Sequence, residues 1–154
     1  MKLEGIHHIT AITGDAARNV DFYARALGLR LVKKTVNFDQ PTAYHLYYGD
    51  EHGTPGSLLT FFEFPGVAAG RHGGGMPYRI AWRVAGDAAL DFWSARLDDA
   101  GVPLSRTSDG LQFEDPEGLE HEFVVAPQHE PDRAHLEALL TPIATPRGGA
   151  AGRS

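Results

Sequence analysis

Cysteine is absent from the 154-residue chain, which removes disulfides, thiolate nucleophiles and cysteine-ligated zinc or iron–sulfur centres together. Any metal must therefore sit on His, Asp or Glu. No window approaches the eighteen consecutive apolar residues of a membrane span, and Met1 is not followed by the cationic stretch and apolar core of a secretory leader. The expectation is a cytoplasmic protein with no membrane partner. Positive charge is also scarce: 14 Lys and Arg stand against 20 Asp and Glu, a net charge of −6 at pH 7 that opposes phosphate backbones and anionic lipid. Nucleic acid is disfavoured as a partner. Hydrophobic residues at 42% and charged residues at 22% place the chain among ordinary globules rather than disordered or fibrous sequences, and its length suits a single compact core.

The chain repeats itself. His8-Ile-Thr-Ala-Ile-Thr-Gly-Asp15, followed by Asp21-Phe22-Tyr23 and Gly28, has a counterpart in Arg79-Ile-Ala-Trp-Arg-Val-Ala-Gly-Asp87, followed by Asp91-Phe92-Trp93 and Gly101. In the first copy Ile6, His8, Thr10 and Ile12 alternate with His7, Ile9, Ala11 and Thr13, the period of two that puts neighbouring side chains on opposite faces of a strand. Asp15 then stands as a helix N-cap, Ala16, Val20, Tyr23 and Leu27 form a buried helical stripe, and Gly28 stops the helix in a left-handed conformation. The second copy repeats this with Asp87 as cap, Leu90, Trp93 and Leu97 as stripe and Gly101 as stop. Three β-rich segments follow each helix, at about residues 30–37, 43–49 and 57–63, then at 105–107, 110–113 and 119–126, the last two joined by the tight turn Asp115-Pro-Glu-Gly118. The fold expected is α+β: two βαβββ modules, residues 4–66 and 76–127, forming curved mixed sheets around a concave cavity with the helices outside. Residues 1–127 make one domain, 67–75 a Gly-rich connector, and 128–154 a tail or linker with a short helix at 134–140.

The chemistry rests on His and carboxylates. His8 shares a strand face with Thr10, while alternation turns His7 the other way; Glu122 lies in the last strand on the face of Val124. A His pair at a strand start is commonly an edge feature and a strand Glu commonly faces solvent, so neither residue decides a function alone. His45 and Tyr47 share a face of the third strand and are cavity candidates, although Tyr-rich strands often only pack. Phe61, Phe62 and Phe64 read as core and rim, and His52, His72, His129 and His135 as solvated. Gly73-Gly-Gly75 lacks the strand before and helix after that a phosphate loop needs.

The paired βαβββ pattern, the Gly-Asp, Asp-Phe-Tyr and Leu-Gly-Leu order of the first copy, and the Asp-Pro-Glu-Gly turn before Glu122 resemble the vicinal oxygen chelate superfamily of glyoxalase I, bleomycin-resistance proteins and extradiol dioxygenases. Within it, Gly5-Ile-His-His-Ile-Thr-Ala-Ile-Thr-Gly-Asp15, Leu29-Arg-Leu-Val-Lys-Lys-Thr-Val-Asn-Phe-Asp39 and Tyr44-His-Leu-Tyr-Tyr-Gly-Asp50 are similar to the N-terminal half of hydroquinone-type ring-cleaving dioxygenases. That resemblance spans residues 4–127. It implies Fe(II), or another divalent metal, held by two His and one Glu beside open positions for substrate oxygens and O2. It also implies His8 as a metal ligand with His7 and Thr10 beside it, and places Glu122 where the last-strand carboxylate ligand falls.

Two positions depart from that pattern. Arg79 stands where a second-copy His ligand would begin its strand, and a guanidinium has no lone pair to donate; Thr60 stands where glyoxalase I carries a Glu ligand. One imidazole and one carboxylate remain, with Arg79 expected to pair with Glu122. The dioxygenases resembled carry two such domains in tandem, so the chain reads as half of a composite site, completed by a homodimer or by a partner domain of the same family. The function expected is a metal-dependent ring-cleaving dioxygenase domain acting on a small dihydroxylated aromatic and O2. The alternatives are a metal-free homodimeric small-molecule binding or resistance protein and, third, a glyoxalase-type isomerase. Catalytic acids and bases are not assigned.

Overall fold

The computed structural model describes residues 6–36, 43–71, 73–108 and 110–125. In chain order its elements are β1 (His8–Thr13), α1 (Ala16–Val20) with a π-helical continuation (Asp21–Ala26), β2 (Arg30–Val36), β3 (Tyr44–Gly49), β4 (Leu58–Glu63), β5 (Arg79–Val84), α2 (Asp87–Asp99), β6 (Leu104–Arg106), β7 (Gly110–Glu114) and β8 (Glu120–Val125). The first four strands form a sheet in the order β1-β4-β3-β2 and the last four a sheet in the order β5-β8-β7-β6. In each, the outer pair is parallel, with His8 opposite Leu58 and Arg79 opposite Glu120, and the remaining pairs are antiparallel. The expected α+β fold of two mixed four-stranded sheets is what the chain adopts. The tail helix expected at 134–140 lies outside the described residues.

Local chemistry explains the helices, with two corrections to the sequence reading. Asp15 caps α1 as expected, its side chain accepting from the Arg18 N–H. The helix then widens, because the Leu27 N–H reaches the Phe22 carbonyl five residues back. The buried set is Ala16, Asn19, Phe22, Tyr23, Ala26 and Leu27, with Val20 only half-buried. In the second module the cap position is Gly86, and Asp87 is the first helical residue, where its charge meets the positive end of the helix dipole. Leu90 and Leu97 are buried and Trp93 packs against them in the core, as expected. Gly28 and Gly101 end the helices at φ +69° and +70°, a conformation that side chains resist.

The helices cover one face of each sheet, and by alternation His8, Thr10 and Thr60 lie on the opposite one. Ala11, Leu46, Tyr48, Leu59 and Phe61 from the first sheet and Ile80, Leu111, Phe113 and Phe123 from the second join one core with the helix residues. Tyr23 touches both sheets, its ring 4.8 Å from Phe61 and 5.7 Å from His121. The guanidinium of Arg96 on α2 donates to the Ala26 and Arg25 carbonyls at 2.7 and 2.8 Å, satisfying acceptors that the end of the first helix leaves free. Glu117 likewise accepts from the Gly14 N–H at 2.7 Å. The helix-covered faces therefore meet in a shared core, and by strand alternation each sheet turns its other face away from it.

Candidate functional site

The face of the first sheet opposite the helices carries His8, Thr10 and Ile12 from β1, Thr60 and Phe62 from β4, and His45 and Tyr47 from β3. Register places Thr10 beside Thr60, Thr60 beside Tyr47 and Phe62 beside His45. The Thr10 and Thr60 hydroxyls hydrogen-bond at 2.9 Å, and Thr60 is only 1% exposed. Tyr47 Oη lies 2.9 Å from His45 Nδ1. His8 is exposed at the start of β1. His7 precedes the strand, so alternation does not govern it: its Nδ1 sits 3.0 Å from His8 Nδ1 with the rings edge to face. Six of the eight residues singled out in the sequence thus share one face or its border.

The other two, Arg79 and Glu122, lie on the corresponding face of the second sheet. Arg79 does pair with Glu122, at 3.4 Å, but its closer partner is Glu120, at 2.8 Å from Nη2 and 3.0 Å from Nε. The hydrogen bond from Glu120 leads the causes that raise the Arg79 pKa above its ordinary value, so the guanidinium is a fixed cation. Gln112 Nε2 donates to the remaining Glu122 oxygen at 2.7 Å. Both oxygens of Glu122 are therefore engaged. Among the described residues no group of three or more His, Asp or Glu side chains stands close enough to hold a metal ion. The donor set of this chain alone does not suit a two-His, one-carboxylate iron centre.

Sequence reasoning passed over a buried relay at the junction of the modules. Trp82 Nε1–H donates to His121 Nδ1 at 3.0 Å, which leaves the ring hydrogen on Nε2, facing Tyr23 Oη at 2.9 Å. Tyr23 in turn donates to Asp115 Oδ2 at 2.8 Å. Asp115 Oδ1 accepts from the Glu117 and Leu119 N–H groups, which fixes the turn. Burial holds the His121 pKa down at about 4, so the imidazole is neutral in the relay, and the same burial, with Asp115 beside it, pushes the Tyr23 pKa well up. The signal was present: His121 alternates with Glu122 and so must face the core among Leu119 and Phe123. A cavity of about 740 Å3 opens near this junction, lined by Arg18, Phe22, Arg79, Leu104 and Gln112 among others, and none of His8, Thr10, Thr60, His45 or Tyr47 borders it.

Residues 5–123 match the family model described as "Glyoxalase/Bleomycin resistance protein/Dioxygenase superfamily". The chain belongs to this superfamily. "Putative ring-cleaving dioxygenase MhqA" of Bacillus subtilis (strain 168) is 49% identical over 123 residues, covering 77% of this chain and 39% of that protein. "Chlorohydroquinone/hydroquinone 1,2-dioxygenase" of Sphingobium indicum is 37% identical over 123 residues, covering 75% of this chain and 38% of that one. A crystal structure of a "putative dioxygenase" from Bacillus subtilis superposes with a TM-score of 0.73 at 47% identity, over 79% of this chain and 40% of that chain. The chain thus spans about two-fifths of the length of the relatives it matches.

Proposed function

We propose that this chain supplies one wall of a ring-cleaving dioxygenase site for dihydroxylated aromatics, with His8 as its contribution to a divalent metal centre, Fe(II) foremost, and the other donors coming from a second module of the same family. The observation that carries the reading is the exposed first face, where His7, His8, two threonine hydroxyls and the Tyr47 and Phe62 rings stand together in a chain nearly half identical to a protein named for ring cleavage. His8 is exposed and so free to meet a donor set from outside, with the His7 ring against it to fix its orientation. Thr10 and Thr60 hold each other and leave their remaining hydrogen-bonding capacity for a neighbour. Tyr47 and Phe62 offer apolar surface to a planar ring.

The missing donors come from a partner domain rather than from a second copy. A second copy would set Arg79, already clamped by two carboxylates, against the His8 face, and a guanidinium has no lone pair to give a metal. Glu122 would also have to leave Arg79 and Gln112 before it served as a ligand. The metal-free binding alternative has no observation in its favour over this reading. Among the described residues no helix is long and apolar enough to cross a membrane.

The experiment is complementation. The chain is fused to the part of the Bacillus subtilis relative that it does not match, loaded anaerobically with Fe(II), and assayed for O2 uptake with hydroquinone. Uptake by the fusion, its loss in the His8→Ala fusion and none from the chain alone are expected. Full turnover by the chain alone, or a fusion indifferent to His8→Ala, would overturn the proposal.

A further inference from the structure

Among the described residues, one buried nitrogen on the first face has no hydrogen-bond partner. His45 Nε2 is shielded from solvent and makes no hydrogen bond, a state that native folds rarely leave without a reason. The ring itself is firmly placed: it lies 4.1 Å from the Tyr47 ring and 3.9 Å from the Phe62 ring, tilted by 35° and 33° to them, with Nδ1 engaged by Tyr47 Oη at 2.9 Å. Burial, with the nearby His8 and Lys33 as lesser causes, lowers its pKa, so the imidazole is neutral at pH 7 and has one donor and one acceptor nitrogen. If Tyr47 donates to Nδ1, then Nε2 is an unused N–H. If instead Nδ1–H donates to Tyr47, then Nε2 is a bare lone pair and the Tyr47 hydroxyl hydrogen is unspent.

A hydroxyl group, both donor and acceptor, satisfies either state. The surroundings specify what should carry that hydroxyl: Tyr47, Phe62 and Phe64 supply aromatic surface, and the Lys33 ammonium lies 5.5 Å over the Tyr47 ring. Packing in the repeat does not demand the pair. At the register position of the second sheet that corresponds to His45 stands Gly110, where an added Cβ would come within 2.0 Å of the Phe123 carbonyl oxygen, and opposite Glu122, where the first sheet has Tyr47, stands Gln112.

We propose that His45 Nε2 is the hydrogen-bonding point for the hydroxyl of a phenolic ring lying on the first sheet, with Tyr47 as the positioning residue that fixes the imidazole. The phenolic class rests on the dioxygenase reading above; the unsatisfied nitrogen does not. Because Nε2 is shielded, the hydroxyl reaches it only if the Tyr47 or Phe62 ring shifts, and that movement is itself a readout.

The test is a titration of the full chain, labelled with 15N, with hydroquinone and separately with anisole, which keeps the ring and has no O–H, following histidine ring nitrogens and aromatic protons by NMR. Hydroquinone should move the His45 nitrogens and the Tyr47 and Phe62 ring signals, and anisole should leave Nε2 in place. His45→Phe, which keeps a stacked ring, should weaken hydroquinone binding about tenfold, the equivalent of one hydrogen bond. Tyr47→Phe should release the His45 tautomer while retaining part of the affinity. Should His45→Phe fail to fold, His45→Gln, which restores a hydrogen-bonding group, is expected to bind within a few-fold of the original. Unmoved His45 nitrogens, undetectable hydroquinone binding, or unchanged affinity in the His45→Phe chain would overturn the proposal. No metal or turnover enters this readout: a chain that binds hydroquinone through His45 while the fusion never consumes O2 refutes the dioxygenase reading alone, and a working fusion with silent His45 signals refutes this one alone.

Discussion

The two sheets share strand order and register, yet their outward faces carry opposite chemistry. Where the first has His8, Thr10, Tyr47 and Thr60, the second has Arg79, Ala81, Gln112 and Glu122 at the corresponding positions. One face offers imidazole, hydroxyl and aromatic groups; the other closes on itself through Arg79, Glu120, Glu122 and Gln112. On the helix-covered side the copies agree much better, Phe61 matching Phe123 and Tyr48 matching Phe113 in burial. A duplicated fold keeps its core because packing constrains both copies alike. Its outer faces are free to diverge, and here they have diverged in charge and in aromatic content.

The largest difference inside the core is His121, which stands where the first sheet has Leu59. Its folded pKa of about 4 lies below the ordinary 6.5, so the fold favours the neutral ring. That stabilisation is complete above pH 6.5 and is lost as pH falls towards 4, by on the order of 3 kcal/mol. The facing groups are Tyr23, Asp115 and Trp82, already joined in the relay. Urea unfolding at fixed pH values should show this acid limb, and His121→Gln should flatten it; an identical limb in the variant would place the titrating group elsewhere.

A smaller effect is expected at the closed face. Arg79→Met leaves Glu120 and Glu122 side by side without their cation, and since these side chains remain a seventh to a quarter exposed, the cost should be about 1–2 kcal/mol rather than the larger penalty of a fully buried pair. Added salt should reduce it. Smaller again is Thr60→Val on the open face, at about 1 kcal/mol, because the orphaned Thr10 hydroxyl can turn to water. A loss at Thr60 exceeding that at Arg79 would reverse the ranking of the two faces.

Much of this was legible in the chain itself. Period-two alternation from His8 to Thr13 placed His8 and Thr10 on one face, and the same rule set Glu122 opposite the core. Gly28 and Gly101 marked where the helices stop. Alternation failed for His7 because it describes strands and His7 precedes one. The π-helical turn was hidden because it is one shifted backbone hydrogen bond, Leu27 N–H to the Phe22 carbonyl, which side-chain periodicity does not record. The joining of the two modules depends on long-range contacts such as Arg96 to Ala26 and Tyr23 to His121, which no local pattern encodes. The pairing of Arg79 with Glu120 was missed for a related reason: the sequence shows both charges, but only the parallel register of β5 and β8 sets them opposite each other.

The central claim is that this chain carries one half of a metal site on the first sheet and, on the other, a face whose charged groups are held by one another. Anaerobic calorimetric titration of the purified chain with Fe(II) tests it most directly, alongside His8→Ala and Arg79→His. The account predicts weak binding in the unmodified chain, its disappearance in His8→Ala, and a gain of at least tenfold in Arg79→His, where an imidazole joins Glu120 and Glu122 in place of a cation. Tight one-to-one binding in the unmodified chain that survives His8→Ala would contradict it.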